Sequence, residues 1–386
     1  MRISVIIPSL NEADSISNAV KIADEGLKRF YPNSEKLIIN SDGPSDDNTR
    51  DVFINTETES EKMYLSNSKA KICGKGTNIC SGFEKLNNSD VVVVLDADVK
   101  SSTPEWIKMF VDPIINDSCD LVTPLYTRNR YEGNTTNHFS APLLRACLGC
   151  TVEQPIAGDF SLSPRLVNKV VNSCYFDSDY KYGIDTLISW TAIGSKMKVK
   201  QVKLGRKIHK PSFPKISDMF TQVAYSTFGQ VIKYKNQILE SIDVNKTRGK
   251  GYSSIDDTFA KKPNQNEIQK LSDLSKELLM RIPKSAMQIV DNPKIYDEMD
   301  SKNWAELLSS LVYKLLSDDT DSSLLRLNDY VNVVKPAYLN RVLKYFSEVN
   351  GLTSLEVNNL LQNESFLITQ KLKHKFSKTL EYNEQL

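Results

Sequence analysis

The run Val91-Val92-Val93-Val94-Leu95 constrains this chain more than any other segment. Consecutive apolar β-formers without alternation must bury both faces, which is the signature of a central parallel strand covered by helices on either side. The run ends in Asp96-Ala97-Asp98, an abrupt change to charge where such a strand leaves its sheet. Around it the first 210 residues alternate short β-rich runs with helical patterns, as βαβ units do. The strand candidates are Ile3–Ile7, Lys36–Asn40, Lys69–Ile72, Val91–Asp96, Asp120–Tyr126 and Lys198–Lys203. Asp14–Tyr31 places Ile16, Val20, Ala23 and Leu27 on one helix face, and Thr77–Leu86 does the same with Ile79, Phe83 and Leu86. The fold class is α/β, a Rossmann-like and mostly parallel sheet.

After His209 the β signal fades. Ser217–Leu239 reads as helical, and 243–266 as a loop or linker, rich in Lys, Asn, Gly, Ser and Asp. Residues 267–386 read as a helical C-terminal subdomain, with apolar spacing at Leu307, Leu308, Leu311 and Leu315 and again at Val331, Val334, Leu339 and Val342. The expected organisation is therefore a domain over 1–242, with halves 1–100 and 101–242, then the linker, then the helical subdomain.

Lys+Arg 49 against Asp+Glu 48 leaves a net charge of +1, no footprint for a nucleic-acid or membrane-surface partner. No apolar run approaches the roughly 20 residues of a spanning helix. After Met1-Arg2 the chain enters a strand-like run, so no secretory signal is expected. Six cysteines are thinly spread; Cys147 and Cys150 have C-x-x-C spacing, but no second pair completes a zinc site. They read as small buried thiols of a cytoplasmic protein.

Two carboxylates at the C-terminal edge of a parallel sheet face the crevice where α/β proteins bind ligands. Hard oxygen ligands of this kind suit Mg²⁺ or Mn²⁺ together with a diphosphate. Pro8-Ser9-Leu10-Asn11-Glu12 and Ser41-Asp42-Gly43 are polar switches at other strand ends on the same edge, and Gly74-Lys75-Gly76 opens a helix. A P-loop is absent, as is a G-x-G-x-x-G after the first strand.

In order and spacing these motifs resemble the nucleotide-sugar half of a family-2-like glycosyltransferase with the GT-A fold. The resemblance implies that Pro8, Leu10, Glu12 and Asp42 surround base and ribose. It puts Gly74 and Lys75 near base or phosphate, and Asp96, Ala97 and Asp98 at the sugar and metal-diphosphate. Further on, Glu153-Gln154-Pro155-Ile156-Ala157-Gly158-Asp159-Phe160, Tyr182-Gly183-Ile184-Asp185-Thr186 and His209 resemble the retaining transferases that make mannosylglycerate, glucosylglycerate and glucosyl-3-phosphoglycerate. That likeness implies a metal held by Asp98 and His209. It makes Asp96, Asp98, Lys75 and Asp185 the catalytic set, with Asp185 orienting sugar or acceptor hydroxyls.

It also implies an acceptor site at Arg128, Gly133, Asn134, Thr135 and Thr136, bordered by Ile156 and Gly158. A guanidinium clamps a carboxylate bidentately, and Arg130 competes with Arg128 for that task. Asn134 stands where users of phosphoglycerate tend to carry Arg, which favours an unphosphorylated acid. The expected donors are GDP-mannose, GDP-glucose or UDP-glucose, the acceptor is D-glycerate or 3-phosphoglycerate, and the product is a hexosylglycerate compatible solute. The alternative is an inverting family-2 enzyme acting on a glycan or lipid phosphate, with Asp159 or Asp185 as base. Trp106, Trp190 and Trp304 read as core, and the apolar surplus of the helical part leaves room for a homodimer.

Overall fold

The computed structural model describes residues 1–86, 88–210, 215–243 and 255–384. Of the expected linker, residues 244–254 lie outside them. The chain packs as two compact units, Met1–Thr127 with Gln154–Pro211, and Arg128–Glu153 with Ser212–Leu386.

The first unit is an α/β layer structure. Its strands are β1 (Arg2–Ser9), β2 (Glu35–Asp42), β3 (Glu61–Ser66), β4 (Val91–Val94), β5 (Leu121–Thr127), β6 (Phe160–Leu162) and β7 (Val199–Arg206). They form one sheet in the order β3-β2-β1-β4-β6-β5-β7. Only β6 runs antiparallel, to both β4 and β5. The unbroken apolar runs bury both faces, as their pattern requires. Ile3, Val5, Val91 and Val93 join the core under helices Ile16–Phe30 and Pro104–Asn116, whereas Ile6, Val92 and Val94 join the core under Lys75–Glu84, Pro164–Val171 and Ile184–Gly194. Trp106 and Trp190 are buried among these helices.

One expected strand is absent here, and two observed strands were not expected. Lys69–Ile72 is turn, and the third strand is Glu61–Ser66, an edge strand half-buried along most of its length, whose charged start, Glu61-Lys62, masks the short apolar run after it. The antiparallel β6, three residues long, is an additional strand.

The second unit is helical. Its long helices are Ile216–Lys233, Gln265–Met280, Ser301–Ser317, Leu327–Glu348 and Ser354–Glu384. Local chemistry sets their starts: Asn264 and Glu267 form a capping box, and the Asp300 side chain accepts from the N–H groups of Lys302 and Asn303. The expected helix Ser217–Leu239 is broken at Tyr234 into two. All eight apolar positions picked out by spacing in this half are buried, as is Trp304, whose Nε1–H donates to His138 O (2.8 Å). Among the described residues no helix is long and apolar enough to cross a membrane.

Candidate active site

Because β1, β2 and β4 are parallel, their C-terminal ends lie on one edge of the sheet. The loops after β1 and β2 are stitched together there: Asn11 N–H donates to Ser45 Oγ (2.8 Å), Glu12 N–H to Thr49 Oγ1 (2.8 Å), and Asp46 N–H to Asn11 Oδ1 (2.9 Å). Asp42 is buried and accepts from the hydroxyls of Ser9, Ser45 and Tyr64 at 2.6, 2.8 and 2.9 Å. Pro8 is buried in β1, while Leu10 is exposed beyond it. Glu12 accepts from Lys210 Nζ at 2.7 Å.

Beyond β4 lies a buried cluster of charge. Lys75 Nζ sits 2.7 Å from Asp96 Oδ1 and 3.5 Å from Asp185 Oδ1, and it also donates to Gly158 O (3.3 Å). Lys207 Nζ takes the other oxygen of Asp96 (2.8 Å) and binds Asp159 Oδ2 (2.6 Å) and Ala157 O (2.9 Å). Asp159 in turn accepts from Asp96 N–H (2.8 Å) and Tyr126 O–H (2.5 Å). Lys207 and its grip on Asp96 were missed by the motif reading. Its only sequence signal is its place two residues before His209, at the end of a lysine-rich strand.

Electrostatics follow from this packing. Burial would push Asp96 up, but Lys207 and Lys75 hold it well below the carboxylate range. Burial would push Lys75 down, yet Asp185 and Asp96 keep it firmly protonated. Asp185 and Asp159 are both raised: burial dominates and neighbouring carboxylates reinforce it, against Lys75 and Lys207 at Asp185 and against Lys207 and the Tyr126 hydroxyl at Asp159. The floor of the cluster is Gly158, at φ +92°, where a Cβ would run into Asp96 Oδ2. Gly76 serves the packing of the start of helix Lys75–Glu84. Its backbone presses on the Asp179–Tyr180 backbone, and its N–H donates to Lys181 O (3.1 Å).

Asp98 lies two residues past Asp96, half-buried. The segment carrying His209 is laid beside it: Lys210 N–H donates to Asp98 Oδ2 (3.1 Å), and Lys100 N–H to Ile208 O (2.8 Å). A carboxylate and an imidazole on adjoining strands of chain are a fitting donor pair for Mg²⁺ or Mn²⁺, which take their remaining ligands from diphosphate and water. Among the described residues no group of three or more His, Cys, Asp or Glu is gathered as a metal cage.

With this arrangement in view, comparison with known proteins is direct. The family described as glycosyl transferase family 2 matches residues 4–171. Residues 4–171 therefore resemble a family 2 glycosyltransferase domain. Over 224 residues it is 23% identical to glucosyl-3-phosphoglycerate synthase of Petrotoga mobilis, a match covering 54% of this chain and 66% of that protein, just under two thirds of the relative's length. The crystal structure of glucosyl-3-phosphoglycerate synthase from Mycobacterium tuberculosis, solved with Mn²⁺, UDP and phosphoglyceric acid, superimposes with a TM-score of 0.50 at 24% identity. That superposition covers 59% of this chain and 78% of the other, and establishes a shared GT-A fold.

The residues expected to bind the acceptor belong to the helical unit. Arg128 donates to Thr136 Oγ1 (3.3 Å), Thr135 Oγ1 is hydrogen-bonded to Tyr338 O–H (2.8 Å), and Asn134 Nδ2 donates to Tyr131 O (2.9 Å). Asn134 Oδ1 is buried with no hydrogen-bond partner, and Gly133 O accepts from Asn137 N–H (2.8 Å). Arg130 is fully engaged: Asp257 (2.5 Å), Val349 O (2.7 Å) and Leu352 O (2.8 Å) take its guanidinium. Ile156 lies in the α/β unit, half-buried.

Proposed function

We propose that the glycosyltransferase domain works as a metal-dependent, retaining hexosyltransferase that moves glucose or mannose from a nucleoside-diphosphate sugar to D-glycerate or 3-phosphoglycerate. The observation that carries this reading is Asp96 held ionised between Lys75 and Lys207, with Asp98 two residues on and the His209 segment bonded beside it. In this reading residues 1–242 supply donor and acceptor halves, 243–266 the linker and 267–386 a helical subdomain of a cytoplasmic protein. UDP-glucose is the donor favoured by the likeness to the synthases above. GDP-mannose and GDP-glucose stay as competitors, and a homodimer as an assembly to be measured.

Each group then has a task. Pro8, Leu10, Glu12 and Asp42 border base and ribose. Asp96, kept anionic, accepts hydrogen bonds from the donor sugar, and Asp185 orients sugar or acceptor hydroxyls. Asp98 and His209 would hold Mg²⁺ or Mn²⁺, which when bound neutralises charge building on the leaving diphosphate. Lys75 contributes fixed positive charge in a site largely screened from water. Arg128 clamps the acceptor carboxylate with help from Gly133, Asn134, Thr135 and Thr136, since Arg130 is already committed. Asp159 is unsuited to be the base of an inverting enzyme, because Lys207, Tyr126 and the Asp96 amide occupy its oxygens.

One screen tests the proposal. Purified protein with Mg²⁺ or Mn²⁺ is crossed with GDP-mannose, GDP-glucose and UDP-glucose against D-glycerate and 3-phosphoglycerate, with products read by mass spectrometry and the anomer by NMR. An α-linked hexosylglycerate from an α-linked donor is expected. A β-linked product would replace retention with inversion, and no donor turnover would defeat the transferase reading.

A further inference from the structure

The cysteine pair that spacing singles out, Cys147 and Cys150, is not the pair with the most telling geometry. The fold brings together two thiols 94 residues apart, Cys80 Sγ and Cys174 Sγ, at 3.5 Å. Cys80 lies on helix Lys75–Glu84 and is 6% exposed. Cys174 lies on the turn after helix Pro164–Val171 and is half-buried, beside the exposed Tyr175. A disulfide has its sulfurs at about 2.05 Å, so closure requires roughly 1.5 Å of movement. A turn residue can supply that where two residues inside packed helices could not.

We infer that Cys80 and Cys174 are a modification site, an intramolecular disulfide formed by exchange with a small-molecule disulfide, and that it tightens the donor site from behind. The Cys174 thiolate, the more accessible of the two, attacks one sulfur of the small disulfide RSSR. This gives a Cys174–S–S–R mixed disulfide and releases RS⁻. Cys80 then loses its proton to solvent, its sulfur attacks the Cys174 sulfur, and the second RS⁻ leaves. Two thiols are oxidised and one RSSR is reduced to two RSH. The hydrogen bond to Cys174 and burial both push the Cys80 thiol up. Capping Cys174 removes its neighbouring charge before Cys80 has to ionise.

The position of this pair gives the link consequence. Cys80 is five residues, roughly 7–8 Å along the axis, from Lys75, which holds Asp96. Cys174 opens the segment whose Tyr180 and Lys181 carbonyls accept from Thr77 and Gly76 N–H (2.9 and 3.1 Å) and which runs on to Asp185. A covalent link would therefore lock together the two stretches that carry Lys75 and Asp185.

The experiment uses the full wild-type chain. It is incubated with oxidised glutathione, alkylated with iodoacetamide, digested without reduction and mapped by mass spectrometry, alongside Cys174→Ser and Cys80→Ser. The expected result is a linked peptide pair containing Cys80 and Cys174, two hydrogens lighter than its parts and abolished by dithiothreitol. Recovery of Cys80 and Cys174 only as separately alkylated or glutathionylated peptides, or linkage of either to Cys73, would overturn the site. This readout is independent of catalysis. The functional half rests on the transferase reading: oxidised wild type should consume donor severalfold more slowly, dithiothreitol should restore it, and Cys174→Ser should be indifferent to oxidation. A formed disulfide with unchanged donor kinetics would overturn the coupling. A reduced enzyme with no donor turnover would count against the transferase alone.

Discussion

In the α/β unit, Asp96, Asp159 and Asp185 share Lys75 and Lys207; in the helical unit, Glu364 and Glu348 share Arg341, with His138 Nδ1 2.6 Å from Glu364. Both clusters are buried ion networks, yet they differ in two respects. The Asp96 and Lys75 side chains keep 20% and 15% of their surface, and their carboxylates outnumber the lysines. Arg341 and Glu364 keep none, and Ser301 Oγ completes their bonding by donating to Glu364 and accepting from Arg341. A charged network that keeps an opening to solvent can take a ligand, whereas one whose central Arg341–Glu364 pair is wholly enclosed holds helices in register. The difference marks which cluster should answer to activity and which to stability.

The sharpest break is expected at Arg341. Arg341→Met strands a buried carboxylate at Glu364, which costs about 3–5 kcal/mol, read as a drop in the urea midpoint. If stability holds, the helical cluster is not the structural one. Acid tests the same network. Burial alone would raise Glu364, but His138 and Arg341 hold it at about 2, below its ordinary 4.5. A depressed carboxylate stabilises above the higher value and loses that contribution as pH falls toward the lower. Glu306, held at about 2 by Lys371 and Lys375 against burial, titrates in the same window. Glu364→Gln should therefore be less stable than wild type at neutral pH, with the gap closing as pH falls from 4.5 towards 2. A gap that does not close would remove Glu364 from the acid response.

The open cluster should behave the other way. Asp98→Ala and His209→Ala should each cut metal-dependent donor turnover by at least about 10²–10³-fold while melting stays close to wild type. Wild-type turnover in His209→Ala would take it out of the site. Gly158→Ala should follow at about 10²-fold, because a Cβ at that left-handed position displaces the carboxylate of Asp96. A variant with ordinary kcat would show that Asp96 tolerates displacement.

How much of this was legible depended on whether a residue announces its environment. Val91–Leu95 cannot be read otherwise than as a doubly buried strand, and the carboxylates that follow it lie where the parallel sheet puts them. The face Ile16, Val20, Ala23, Leu27 was equally plain. Glu61–Ser66 was not, because an edge strand buries little and its short apolar run sits between Glu61-Lys62 and the polar Ser66-Asn67, whereas Lys69–Ile72 imitates alternation in a turn. Lys207 was hidden among Lys198, Lys200 and Lys203, surface lysines by any local criterion; only the antiparallel turn-back through Ala157–Asp159 shows what it neutralises. Arg341 and Glu364 likewise look like solvated helix residues until packing brings them together.

The smallest expected effect separates two arginines that sequence left equal. Arg130 donates to Asp257 and to two backbone carbonyls at the end of helix Leu327–Glu348, so its charge is spent on holding that unit. Arg128 donates to Thr136 Oγ1 at 3.3 Å, in the same loop as the buried Asn134 Oδ1, which has no hydrogen-bond partner. A charge-assisted bond to a carboxylate contributes about 1.5–3 kcal/mol, so Arg128→Ala should raise the KM for the acid acceptor by about tenfold or more and leave the donor KM near wild type. Arg130→Ala should instead lower the melting temperature, with any kinetic loss shared by both substrates. The reverse pattern would make Arg130 the clamp and assign Arg128 to the scaffold.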